Sequence, residues 1–317
     1  MNYLERHPMI MIVVGILGIS SSAILVKFSA APSIVTAAFR LLWTVALMTP
    51  VALGNGRIRR EIAAAGWRTL GLCAASGVCL ALHFTAWFES LSQTSVASST
   101  AIVCTEVIWV ALGYRLFLGG RLRTGAVGAI AVTVAGSVLI AFSDYTGQGE
   151  SLYGDGLALS AAIFAAVYTL IGRRLRQGMS TTAYTYVVYG FCALALCLGT
   201  ACSGQSFGGH GPSAAVVGLL LAVFSTLLGH SVFSWCLKFM SPAYVSASKL
   251  CEPVAAAILA ALVFGEIPVL LQVAGGLVTI GGVLRYSWIE RREAEGKEGK
   301  ESSGFQGGLG LKRFSKP

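Results

Sequence analysis

The sequence is built from ten apolar blocks of about twenty residues, separated by short polar segments. A helix of about 20 apolar residues crosses a hydrocarbon core of roughly 30 Å. Only 12% of the residues are charged, whereas a soluble domain carries about 25%. The chain is therefore predicted to be an all-α polytopic membrane protein with ten transmembrane helices. The predicted spans are Met9–Ser29, Ile34–Leu53, Thr69–Phe88, Val96–Phe117, Gly125–Phe142, Gly154–Ile171, Ala183–Ala201, Ala214–Leu237, Ala243–Phe264 and Val269–Trp288.

Basic residues occur in every second connection between the blocks. The formal net charge is +9, but the alternate connections contain no Lys or Arg and hold Asp144, Glu150 and Glu266 instead. This is the positive-inside pattern, and an even number of spans places both termini in the cytoplasm. We therefore expect a multi-pass protein of the plasma membrane, the inner membrane of a bacterium, surrounded by the lipid bilayer. Topology accounts for the basic charge, so no nucleic-acid partner is predicted.

A weak internal repeat relates the two halves of the chain. Residues Leu91–Gly136 align with Leu237–Gly282 at an offset of 146. Each half has five spans, and because five is odd the second half must enter the membrane in the opposite orientation, as in inverted-repeat transporters. The predicted units are a first five-helix repeat (1–146), a second one (147–289) and a disordered cytoplasmic tail (290–317). The identical pairs include Leu91/Leu237, Ser95/Ser241, Ala97/Ala243, Ala101/Ala247, Glu106/Glu252, Gly119/Gly265, Val132/Val278, Thr133/Thr279 and Gly136/Gly282.

Two of the repeated residues are glutamates inside apolar blocks. A charge at the bilayer centre costs at least about 2.5–3.5 kcal/mol, so Glu106 and Glu252 are expected to face the protein interior or a water-filled cavity. Lys249 precedes Glu252 by three residues, and on one helix face the two could form an ion pair. Pro253 cannot donate to the carbonyl of Lys249, so a kink is predicted there. Substrate binding or gating is one interpretation, and glutamates that only hold helices together are the other.

Further polar and aromatic residues lie within the predicted spans. Arg40 is deep in the second span, where it either serves the site or extends toward the interface. His83 and Trp87 share a face of the third span, and His230 lies close to Trp235 in the eighth. The histidines either titrate near neutral pH or are neutral and hydrogen-bonded. The aromatic rings either form the wall of a ligand site or fill space between helices.

Other functional classes find little support in the sequence. Ser20 with His83 or His230 does not make a serine-protease pattern above chance, so an enzyme is not predicted. The cysteines have no metal-ligand spacing and are interpreted as small buried hydrophobes, so no cofactor and no metal are predicted. Small residues in the fifth and tenth spans indicate close helix packing, either within one chain or across a homodimer.

Several of these segments resemble the EamA family of the drug/metabolite transporter superfamily. They are Phe39-Arg40-Leu41-Leu42, His83-Phe84 with Trp87, Gly265-Glu266, and above all Leu228–Pro253, LGHSVFSWCLKFMSPAYVSASKLCEP. The resemblance covers about residues 9–289. It implies two inverted five-helix repeats around a central cavity, and secondary export of small metabolites, amino acids included, by alternating access.

The sequence and the resemblance together predict an exporting permease for a small-molecule substrate such as an amino acid. The expected substrate-binding or gating residues are Glu106, Lys249, Glu252, His83, Trp87, His230, Trp235 and Arg40. The acidic residues make a coupling proton plausible, and facilitated diffusion is equally allowed. The alternative function is a channel or facilitative pore for small polar solutes.

Overall fold

The computed structural model describes residues 8–26, 28–93, 99, 102–120, 124–143, 152–264, 270–271, 273–286, 288–289 and 292. The turn at 265–268, the segment 144–151 between the two predicted halves and nearly all of the predicted tail lie outside these residues. Every regular element within them is helical. The helices are α1 (Pro8–Val26), α2 (Ser33–Gly54), α3 (Gly56–Ala63), α4 (Trp67–Gln93), α5 (Glu106–Phe117), α6 (Thr124–Ser143), α7 (Leu152–Leu175), α8 (Thr181–Cys202), α9 (Gly211–Cys236), α10 (Pro242–Lys249), α11 (Glu252–Phe264) and α12 (Val273–Tyr286).

Six of these helices, α1, α2, α4, α7, α8 and α9, are long and apolar enough to cross a membrane. They cover the first, second, third, sixth, seventh and eighth predicted spans. Large apolar side chains on their outer faces are exposed, which a soluble protein avoids over so large an area and which lipid requires. Examples are Leu17, Val51, Leu82, Leu198 and Val216. The helical membrane class predicted from the apolar blocks is confirmed.

The short helix α3 has no counterpart among the predicted spans. Asn55 begins it by accepting a hydrogen bond from the backbone N–H of Arg57 at 2.9 Å. Ile58 is buried, whereas Arg57, Arg59 and Arg60 are exposed. An amphipathic helix of one apolar and one basic face lies flat at a membrane surface, so a search for apolar blocks does not detect it.

The fourth and ninth predicted spans are interrupted at the repeated glutamates. In the ninth span, α10 ends at Lys249 and α11 begins at Glu252; the backbone N–H groups of Leu250 and Cys251 donate to carbonyls three residues earlier. The predicted distortion next to Pro253 is thus confirmed. In the fourth span, a turn at Cys104 and Thr105 precedes the start of α5 at Glu106. Each glutamate is therefore the first residue of a helix that follows a break.

Helices α6 and α12 cross through a reciprocal contact between repeated positions. A Cβ atom on Gly136 would lie 2.6 Å from the backbone nitrogen of Thr279, and one on Gly282 would lie 2.9 Å from that of Thr133. Both separations are too short for real carbon atoms, so the crossing requires glycine at both positions. Of the two roles considered for these small residues, packing within one chain accounts for Gly136 and Gly282.

A single methyl group should therefore have opposite effects at two adjacent glycines of α12. Gly282→Ala should force α6 and α12 apart and lower the free energy of unfolding by about 1–3 kcal/mol. A Cβ on Gly281 meets nothing within 4 Å, so the matched control Gly281→Ala should raise helix stability by up to about 1 kcal/mol. Thermal unfolding of both variants in detergent measures the difference. Equal effects of the two substitutions would contradict the close crossing.

Candidate binding cavity between the two halves

A small cavity of about 50 Å³ lies among helices of both predicted halves. This volume is below that of typical small-molecule sites, which begin at about 300 Å³. The first half contributes residues of α1, α4 and the start of α5, and the second half contributes residues of α7, α9, α10 and the start of α11. The lining residues are Ile19, Ser22, Leu80, His83, Trp87, Val103, Cys104, Glu106, Ala165, Tyr168, Ser225, His230, Ser246, Lys249, Leu250 and Glu252.

The two halves are joined at this cavity by an ion pair. Lys249 Nζ lies 2.8 Å from Glu106 Oε1 and 3.2 Å from Glu106 Oε2. Thr169 Oγ1 also donates to Glu106 Oε1, at 3.0 Å. The side chains of Lys249 and Glu106 are 14% and 10% exposed, so water screens the pair weakly. Such a charge-assisted, additionally hydrogen-bonded pair is strongly held once both charges are inside the protein.

This geometry corrects the predicted pairing of Lys249 with Glu252. The prediction assumed one continuous helix, in which residues three apart share a face. The helix ends at Lys249 and a new one starts at Glu252, so the intervening turn removes that relation. The lysine instead forms its ion pair with the glutamate of the other half.

Glu252 lines the cavity, and its carboxylate is not part of the ion pair. Among the described residues, none forms an ion pair or a hydrogen bond with this carboxylate. Its main-chain carbonyl oxygen accepts a hydrogen bond of 3.3 Å from Ser20 Oγ. The repeated glutamates are therefore not equivalent: Glu106 is bound to a cation, whereas Glu252 is available to one.

Aromatic and imidazole rings form one wall of the cavity. His83 Nδ1 lies 2.9 Å from the carbonyl oxygen of Ala161; because a carbonyl can only accept, Nδ1 carries the proton. The rings of His83 and Trp87 are stacked at 6.1 Å with an angle of 13° between their planes. His230 faces them from α9, with its ring centre 6.4 Å from that of His83. Of the two interpretations of His83, the structure agrees with the one in which its ring is hydrogen-bonded.

Two lining residues carry buried polar atoms without a hydrogen-bond partner in the described part of the chain. They are the indole nitrogen of Trp87 and the hydroxyl oxygen of Ser246. Trp87 is 8% exposed and Ser246 is 2% exposed. An unsatisfied buried polar group costs about 1–3 kcal/mol, and such groups commonly indicate a bound water or ligand. The indole N–H on α4 and the hydroxyl group on α10 are thus available for hydrogen bonds to a bound ligand or water.

Arg40 lies directly behind this cavity and is completely buried. Its Nε donates to Thr226 Oγ1 at 2.7 Å, one terminal nitrogen donates to Ser225 Oγ at 2.9 Å, and the other lies 3.4 Å from Ser22 Oγ. The guanidinium also covers the Phe84 ring at 4.1 Å. No carboxylate within the described residues forms an ion pair with it. Arg40 therefore does not extend toward the membrane surface, as one interpretation allowed.

The α9 partners of Arg40 come from a π-helical segment, Leu221–His230. The wider turn is evident at Thr226, whose carbonyl oxygen accepts from the backbone N–H of Ser231, five residues later. Segments of this kind are rare and frequently occur at functional sites. The same segment places the His230 imidazole and the Ser225 hydroxyl group at the cavity, with the Thr226 hydroxyl group behind it.

Six of the eight predicted site residues line the cavity together, and the other two do not. Arg40 reaches it through serine hydroxyls, and Trp235 packs against Phe239 with their ring centres 4.6 Å apart. Sequence reasoning missed Ser22, Ser225 and Ser246, as well as Tyr168. The run Ser20-Ser21-Ser22 within the first apolar block was a usable indication. Nothing in the sequence singles out Tyr168.

Comparison with known proteins agrees with this architecture. Residues 152–288 match the family model of the EamA-like transporter family. A search of curated proteins gives no significant match. A crystal structure of a protein is similar with a TM-score of 0.76, over 90% of this chain and 98% of that chain, at 18% sequence identity, a level that concerns the fold alone. Residues 152–288 thus match the EamA-like transporter family of the drug/metabolite transporter superfamily, and the chain is a multi-pass membrane protein.

Proposed function

We propose that this protein is a secondary transporter that exports small organic solutes such as amino acids by alternating access. The observation that carries the proposal is the cavity between the halves, with an ion pair, a free carboxylate and unsatisfied polar atoms on its wall. A purely structural core would satisfy these groups internally. Soluble-enzyme chemistry is not required by any of them, and the family match is to transporters.

The proposed architecture has ten spans arranged as two inverted five-helix repeats in a bacterial inner membrane, with both termini in the cytoplasm. The reciprocal contact of Gly136 with Thr279 and of Gly282 with Thr133 supports it, because these are repeated positions that meet each other. The paired helix breaks at Glu106 and Glu252 support it as well. Discontinuous helices at the interface between repeats are typical of substrate sites in transporters.

The charge arrangement favours a substrate that carries an ammonium group. Glu106 is already neutralised by Lys249, at 2.8 Å, so its attraction for a second cation is weak. Glu252 has no such partner among the described residues. We propose that Glu252 binds the substrate ammonium group in one state and a coupling proton in another. Trp87 and His230 would contact the rest of the molecule.

Alternating access is proposed to use the two breaks as hinges. The Lys249–Glu106 pair connects α10 of the second half with α5 of the first, so its separation would let the halves move relative to each other. Because both partners lie at a helix break, a small rotation of either helix moves them apart. The opposite state would then be the one in which Lys249 leaves Glu106.

Purified protein in proteoliposomes tests the proposed function directly. A panel of the twenty L-amino acids should contain at least one that raises the melting temperature, since a ligand that binds only the folded state stabilises it. That amino acid should show counterflow, in which unlabelled solute inside the vesicle stimulates entry of labelled solute. A flux that does not saturate and shows no exchange stimulation would identify a channel instead. Absence of any thermal shift or uptake across the panel would contradict amino-acid transport.

A further inference from the structure

Ser22 and Ser225 lie between a buried cation and the cavity. Both line the cavity, both are nearly inaccessible to solvent, and both accept a hydrogen bond from Arg40. A serine hydroxyl can accept and donate at the same time. Within the described residues, neither hydroxyl has an acceptor for its own hydrogen.

Arg40 gives these hydroxyl groups their direction and polarity. Since the guanidinium donates to the oxygen of each serine, the free hydrogen must point elsewhere, and the open side is the cavity. Hydrogen bonds in a chain polarise one another, so a hydroxyl that accepts from a cation becomes a better donor. Thr226, the third partner, does not line the cavity and holds the Nε side of the guanidinium.

Arg40 places a buried positive charge next to these two hydroxyl groups. Glu106 is bound to Lys249, and no described carboxylate forms an ion pair with Arg40. The Phe84 ring covers one face of the guanidinium at 4.1 Å, but it provides no full negative charge. A buried cation without a directly bound counter-ion is costly, and an anion that accepts from Ser22 and Ser225 would reduce that cost.

We infer that Ser22 and Ser225 form an oxyanion-binding subsite of the cavity, with Arg40 as the positioning residue behind them. The inference rests on the proposed function, in which the cavity binds the transported solute. The ligand group is a carboxylate or another oxyanion of that solute, which receives two hydroxyl hydrogen bonds and the field of Arg40. Because Glu252 also lines the cavity, the wall then carries both a group that binds an anion and a group that binds a cation.

The decisive comparison is between a carboxylate and a carboxamide on the same solute. The probe is the amino acid with the largest thermal shift in the panel, together with its carboxamide, measured by titration calorimetry. The wild-type protein should bind the amino acid about tenfold more tightly than the carboxamide, because bonds to a charged acceptor are the stronger ones. In Ser22→Ala/Ser225→Ala this preference should disappear, while the affinity for the carboxamide stays within about threefold of wild type.

Two further variants separate this role from a structural one. Ser21→Ala removes a neighbouring hydroxyl that bonds to the Gly18 carbonyl oxygen at 2.7 Å, does not line the cavity, and should leave the preference intact. Arg40→Gln should abolish the preference whether or not it lowers stability, since the ratio is measured on folded protein. A double serine variant that still prefers the carboxylate by tenfold would overturn the subsite.

Acetate distinguishes failure of the subsite from failure of the proposed function. At constant ionic strength, acetate but not acetamide should raise the melting temperature of the wild-type protein and not that of Ser22→Ala/Ser225→Ala. If no amino acid binds but acetate behaves in this way, the subsite stands and amino-acid transport fails. If amino acids bind but the double variant keeps the preference, transport stands and the subsite fails. If neither acetate nor any amino acid acts on the wild-type protein, both are overturned.

Discussion

Lys249→Ala should lower the free energy of unfolding by about 3–5 kcal/mol, the usual effect of removing one partner of a buried ion pair. Without the lysine, the only described partner of the Glu106 carboxylate would be the Thr169 hydroxyl group, at 3.0 Å. The Glu106 side chain is only 10% exposed, so water would compensate little of the lost interaction. Transport should be lost as well, because the contact between α5 and α10 disappears. Thermal unfolding in detergent and counterflow in proteoliposomes measure the two effects separately.

The double variant Lys249→Met/Glu106→Gln is the matched control. It removes both charges and keeps side chains of similar volume, and an amide oxygen at position 106 can still accept from Thr169. Replacement of a buried ion pair by such groups is often neutral or stabilising, so the melting temperature should return close to that of the wild type. Transport should remain lost if the pair opens and closes during the cycle. Normal transport by the double variant would show that the pair only holds the helices together.

The sequence predicts the helices because lipid imposes a simple requirement on it. A span needs about 20 apolar residues and satisfied backbone groups, and this requirement is visible in the chain without any knowledge of tertiary contacts. Helix α3 does not meet this requirement, because it has only 8 residues and its arginines make it polar. The π-helical segment Leu221–His230 cannot be recognised in this way, because an α-helix and a π-helix in lipid need the same apolar composition.

The sequence also identifies which charged residues are buried, but not which partner each one contacts. Glu106, Glu252, Lys249 and Arg40 are all conspicuous in apolar blocks. The neighbour in sequence, Glu252, is the wrong partner for Lys249, because the helix break redirects the lysine toward a residue 143 positions away. For Arg40, the partners are hydroxyl groups on α1 and α9. Such contacts depend on how helices are placed in space, which local spacing does not encode.

Glu252→Gln should abolish uphill transport and leave exchange largely intact. The carboxylate has no ion-pair partner among the described residues, so its removal should change the free energy of unfolding by less than about 1 kcal/mol, in contrast to Lys249→Ala. An amide cannot take up and release a proton, and so a transporter coupled through this group should lose proton-driven accumulation by at least about tenfold. Counterflow, which needs only substrate to bind and cross, should continue at a rate set by the weaker hold on the ammonium group.

Glu89→Gln is the matched control, because Glu89 lies on α4 outside the cavity and its Oε1 accepts from Gln93 at 3.1 Å. It should accumulate substrate as the wild type does. If Glu252→Gln also accumulates substrate normally under a proton gradient, the coupling proton is not carried there. If the substitution stops exchange as completely as accumulation while the protein stays folded, Glu252 binds substrate without coupling. Comparison of accumulation with counterflow thus decides whether Glu252 carries the coupling proton or only binds substrate. Thermal stability cannot decide this, because neither role stabilises the resting fold.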